Sequence, residues 1–143
     1  MSPEPLNAGW LLKTEPGSYS YEDLQKDGKA VWDGVKNSLA LSHLRKMKQG
    51  DAVFIYHTGD VKAIIGLARV TKDAYPDPKS MDPKLAVVGL APVRRLRKPV
   101  TLADIKARKD LAAFPLVRMS RLSVMPVSGE EWRAILAMAG EKA

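Results

Sequence analysis

Apolar and polar positions along the chain switch between two periods. From Ala52 to His57 they alternate, with Val53, Ile55 and His57 on one face and Ala52, Phe54 and Tyr56 on the other, the two-residue period of a strand. Gly59-Asp60 marks a turn into Ala63–Thr71, rich in branched apolar residues, so the two runs predict a hairpin. Three more strands are expected. They are Trp10–Lys13, stopped by Glu15-Pro16-Gly17; Val87–Leu96, where Pro92 calls for an edge or a bulge; and Arg121–Val127. Ser20-Tyr21-Glu22-Asp23, Thr101-Leu102-Ala103-Asp104 and Ser128-Gly129-Glu130-Glu131 each have the form that caps a helix start. The last of these helices buries Trp132, Ile135 and Leu136 at i, i+3 and i+4. Another, over Ser38–Met47, gathers Ala40, Leu41, Leu44 and Met47 on one side and stops before Gly50. Pro76, Pro78 and Pro83 make Asp73–Lys84 a long loop that interrupts a domain rather than joining two. The pattern predicts an α+β fold: a partly closed, mainly antiparallel β-barrel of five or six strands with short helices packed around it.

Composition narrows the function. At 143 residues and 45% hydrophobic, the chain is expected to form one domain, with a core over about residues 9–138 and tails at 1–8 and 140–143. It has no cysteine, which removes disulfides, a Cys nucleophile and Cys-ligated metals. Two histidines, His43 and His57, are too few for a zinc site built on imidazole, so neither metal nor cofactor is expected. The polar start carries no secretory pattern, and the longest apolar run, Leu85–Val93, is too short for a membrane span. A cytoplasmic, monomeric protein away from membranes is the expectation.

Charge adds a location. Nine basic and two acidic residues lie between Arg94 and Arg121, so this block holds the whole net charge of +7. Such a block is the footprint of a phosphate-backbone contact, or simply a solvated face. Arg94, Arg95, Arg97 and Lys98 crowd one strand end, where few acids stand nearby to pair them, and are the backbone-gripping candidates.

Catalytic signatures are absent: no phosphate-binding loop, no nucleophile elbow and no zinc-protease motif. His43 sits opposite the apolar stripe of its helix and reads as a surface residue. Two stretches carry more polar chemistry than folding requires. Lys13-Thr14-Glu15 places a cation, a hydroxyl and a carboxylate at a strand exit, and Trp32-Asp33-Gly34-Val35-Lys36-Asn37 sets an indole beside a turn. Asn37 reads equally as a helix cap and Trp32 equally as core. Together they supply what a base pocket needs, an aromatic plane and groups for the polar edge.

Trp10–Pro16, Trp32–Asn37 and Gly50–His57 resemble the EVE domain, as do Gly66–Val70, Ala74–Pro78 and Ser120–Val127. The resemblance runs in order from about residue 9 to 138 and is that of a bacterial single-domain member. It implies a PUA-like fold, related to domains that bind modified bases, and a non-enzymatic module that holds a flipped, modified base of DNA or RNA in an aromatic-lined pocket. Carried over by position, the pocket candidates are Lys13, Thr14, Trp32, Gly34, Val35, Asn37, Tyr56, His57, Ser120 and Arg121. The chain departs from the family after Pro83-Lys84, where Leu85 stands in place of the usual Trp and the strand reads Val87-Val88-Gly89-Leu90. Two alternatives stay open: a nucleobase-processing enzyme using Asp33 or His57, and a small-molecule or partner-binding module.

Overall fold

A computed structural model of the protein describes residues 7–141. Six strands form one sheet: β1 (Asn7–Thr14), β2 (Ala30–Trp32), β3 (Ala52–His57), β4 (Ala63–Pro76), β5 (Ala86–Thr101) and β6 (Val124–Ser128). Their order is β2-β5-β4-β3-β1-β6. Only β1 and β3 pair in parallel, from Gly9↔Ala52 to Thr14↔His57, so the two strands end side by side. The end strands β2 and β6 are not hydrogen-bonded to one another, which leaves the barrel open along a seam. Five short helices pack on the sheet: α1 (Tyr21–Asp27), α2 (Ser38–Leu44), α3 (Leu102–Lys106), α4 (Pro115–Arg118) and α5 (Gly129–Met138).

The helix starts follow the sequence. Ser20 and Ser128 form full capping boxes with Asp23 and Glu131, and Thr101 accepts from the Asp104 N–H. Strand β3 is buried from Val53 to His57, because helices and loops cover both of its faces. Trp132 of α5 stacks on Phe54, with ring centroids 3.9 Å apart, and locks the last helix over β1 and β3.

The sheet is larger than periodicity suggests. The β4–β5 pair runs through the expected loop, since Tyr75 pairs with Val87 and Pro76 with Ala86, and only residues 77–85 remain as connection. Four register shifts absorb the irregular residues, one of them opposite Pro92, which sits at the bulge its missing N–H requires. The pairing of β3 with β4 ends at Arg69, so Pro76 lies where β4 is paired on one side only. Other expected bounds move as well: β1 begins at Asn7, inside the expected tail, and β5 runs on from Leu96 to Thr101. Strand β6 begins at Val124 rather than Arg121, because residues 119–123 turn after α4, and α2 ends at Leu44 rather than Met47. Strand β2 was not foreseen: three residues on a sheet edge are too few to show a period.

Gly66 marks the tightest packing between helix and sheet. A Cβ there would stand 2.5–2.8 Å from three atoms of the Tyr21 ring, which lies flat on β4. Gly66→Ala is therefore expected to cost about 1–3 kcal/mol by overpacking. Each kcal/mol corresponds to roughly 2–4 °C in Tm at this chain length. A thermal melt checks it, and an unchanged Tm would contradict the contact.

Candidate functional site

A cleft of about 600 Å³ opens where the end of β1, the α1–β2 segment and the end of β4 meet. Strand β1 contributes Lys13 and Thr14, followed by Glu15; Tyr19 and Asp27 come from either end of α1. Trp32 and Asp33 come from β2 and the residue after it, and Tyr75, Asp77 and Lys79 from the β4 end. Local chemistry fixes each wall. The Thr14 hydroxyl donates to the Tyr19 carbonyl at 2.6 Å, and the Glu15 carboxylate accepts from the Gly17 N–H at 3.1 Å, so the β1 exit is tied to the start of α1. Gly28, at φ 75°, ends α1 in the left-handed conformation and turns the chain into β2, which delivers Trp32 to the cleft.

Two features define what this cleft accepts. The first is aromatic. Trp32 is only 8% exposed and held edge-on by the Tyr19 ring at 6.1 Å and 80°; Tyr75 also lines the cleft, with the Lys72 amine 4.2 Å over its ring. The second is a mixed charge, with Lys13, Lys29 and Lys79 set among Glu15, Asp27, Asp33 and Asp77. Burial, then the hydrogen bond its hydroxyl donates to Asp27 at 2.7 Å, raises the Tyr19 pKa and keeps the phenol protonated. Burial lowers the Lys13 pKa, and its amine donates to the Ser120 carbonyl at 2.9 Å. A planar, polar ring could stack here and meet both donors and acceptors along its edge.

The structure brings together Lys13, Thr14 and Trp32. Gly34, at φ 80°, turns the chain beyond the cleft, and Val35 is buried in the core. Asn37 caps α2, its side-chain oxygen accepting from the Ala40 N–H at 3.0 Å. With Ser120 and Arg121 it lines a second hollow of about 380 Å³. Tyr56 is buried, and the Lys13 amine lies 5.7 Å from its ring centre. His57 is also buried, and its Nε2 accepts the Tyr21 N–H at 3.0 Å, so the imidazole faces α1. Asp33 and His57 therefore share no cavity. His43 is half-buried rather than a free surface residue, tilted against the Trp10 ring at 6.3 Å.

The basic run departs from expectation in one respect. Acids do reach it: Arg94 pairs with Glu141 at 2.5 Å and Arg95 with Glu22 at 3.6 Å, while the Arg97 N–H donates to Glu141. Both acids are remote in sequence, so inspecting neighbours could not find them. Tyr19, Asp27, Lys29, Tyr75, Asp77 and Lys79 are among the cleft residues that sequence reasoning missed. Tyr75 was hidden because prolines disguised the end of β4 as loop. Among the described residues no cluster of His, Asp or Glu could hold a metal, and no helix is long and apolar enough to cross a membrane.

Comparison with known proteins bears on this geometry. A model of the EVE domain matches residues 8–138. Thymocyte nuclear protein 1 of Mus musculus is 33% identical, the match covering 93% of this chain and 74% of that protein. An NMR structure of a Rhodopseudomonas palustris protein aligns at TM-score 0.88 and 40% identity over 93% of each chain. A crystal structure of human THYN1 protein in complex with 5-methylcytosine containing DNA aligns at TM-score 0.85 and 30% identity, over 94% of this chain and 99% of that one. An ASCH protein from Zymomonas mobilis, at TM-score 0.60 and 12% identity, shares the fold alone.

His57 generates a pH prediction. Burial, then the positive charge of Arg95, holds its pKa below the ordinary value, with Glu22 and Glu15 acting the other way. The native state thus binds fewer protons than the unfolded chain; the stability is full above about pH 6.5 and falls as the pH drops below it. His57→Gln is expected to reduce the loss seen in urea unfolding between about pH 7.5 and 5.5. His43, whose pKa is also lowered by burial, contributes in the same direction and remains in the variant. An identical pH slope in the variant would contradict this.

Proposed function

The chain belongs to the EVE domain family, and from that premise we propose that it binds DNA carrying a modified base, with the base turned out of the stack into the Trp32 cleft. The observation that carries the reading is the human THYN1 complex with 5-methylcytosine containing DNA, a relative whose fold coincides with this chain over nearly its full length. Turning a base out costs a few kcal/mol, and stacking on an aromatic plane returns about 1–3 kcal/mol. Trp32 supplies the plane, and Tyr75 lines the same cleft as a second aromatic. Cytosine presents an amino donor and ring acceptors; the cleft carboxylates suit the first, and the Lys13 amine, with N–H groups beyond the one given to Ser120, suits the second. The apolar methyl of a modified cytosine fits an aromatic wall that bare carboxylates would not solvate. Binding needs no chemical step, so the module is a reader rather than an enzyme.

Fluorescence anisotropy with a labelled duplex containing one 5-methylcytosine, against its unmodified parent and the matching RNA, tests this. The modified DNA should bind more tightly. Tyr75→Ala and Trp32→Ala should each lose about 1–3 kcal/mol of binding to it. Trp32 is nearly buried, so a thermal melt accompanies its variant; Tyr75, half-buried, is the variant that keeps the fold. Equal affinity for the modified and parent duplexes would overturn the reading.

A further inference from the structure

We propose that the second hollow grips the phosphates of the strand whose base enters the cleft, an assignment that rests on the reading of the Trp32 cleft as the base site. Arg118 ends α4, Arg121 lies in the turn before β6, and Asn37 faces them from the start of α2. Every group they offer is a donor. Both guanidinium groups are exposed, and among the described residues neither has a carboxylate partner, whereas Arg94, Arg95 and Arg108 each meet one. The Asn37 side-chain oxygen is committed to the Ala40 N–H, which leaves its amide NH₂ to donate. No carboxylate lines this hollow, while four line the cleft. The hollow is thus complementary to an anion and the cleft to a polar ring.

The two sites adjoin. Lys13 lines the cleft, and its amine donates to the carbonyl of Ser120, which lines the hollow, at 2.9 Å. Leu39 and Met119, 41% and 43% exposed, give the hollow aliphatic walls against which a sugar can lie. Arg97 and Lys98 line neither space. The backbone therefore follows the α2–β6 side of the cleft, while on β5 Arg94 and Arg95 are engaged with Glu141 and Glu22.

The test measures the salt dependence of anisotropy with two labelled duplexes, one unmodified and one carrying a single 5-methylcytosine. The variants are the doubles Arg118→Gln/Arg121→Gln and Arg97→Gln/Lys98→Gln, with melts to confirm folding at these exposed positions. Each lost phosphate contact flattens the log–log slope by about 0.9 on duplex DNA. The first double should weaken both duplexes alike and flatten the slope by about 1.8, and the second should leave it near wild type. Slope lost in the Arg97/Lys98 double alone would overturn the proposal, placing the backbone on β5. So would loss of the modified-base preference with an unchanged slope in the first double. A wild type indifferent to methylation defeats the base-cleft reading, and its salt slopes still decide between the two surfaces. A wild type that binds neither duplex defeats both.

Discussion

Tyr21 ties the cleft to the sheet. Its ring lies flat on the bare backbone of Gly66, its hydroxyl donates to the Leu67 carbonyl at 2.6 Å, and its N–H donates to His57. The tyrosine is fully buried and is the first residue of α1, so a single side chain sets where that helix starts on the sheet. Everything on the α1 side of the cleft inherits this placement: Tyr19 before the helix, Asp27 at its end, and Trp32 beyond the Gly28 turn. The parallel pairing of β1 and β3 completes the frame, since Thr14 and His57 stand opposite one another at its end. His57 thus belongs to the support of the cleft.

Much of this was legible in the sequence, and the failures have physical causes. The hairpin of β3 and β4 announced itself by alternation, and the caps at Ser20, Thr101 and Ser128 by hydroxyls placed three residues ahead of acids. Trp32 and the Lys13-Thr14 pair stood out because their polarity exceeded the needs of a strand end. Tyr75 did not, because local preference rules describe Pro76 and Pro78 as loop, whereas bulges and one-sided pairing let β4 continue. Tyr56 and His57 were drawn toward the pocket by position in a motif. Burial shows that one packs in the core and that the other accepts from the start of α1. The ion pairs of Arg94 and Arg95 link residues far apart in sequence, so only the fold reveals them.

On the proposed reading, the charge distribution lets one small surface treat two parts of a nucleotide differently. A cleft with both signs of charge favours no net ion and discriminates by hydrogen-bond pattern. A neighbouring hollow of donors alone favours an anion whatever its sequence context. In the proposed mode of binding, phosphate contacts at the hollow would set affinity and register while the aromatic cleft would set preference. The Lys13–Ser120 hydrogen bond joins the two places, so in that mode a strand anchored at one would be aligned at the other.

The most direct test of the account is a crystal structure of this protein with a duplex carrying one 5-methylcytosine. The account predicts the modified base outside the helix, in the cleft lined by Trp32 and Tyr75, with its edge toward Lys13. A base that remains stacked in the duplex, or one seated anywhere else on the protein, would contradict it.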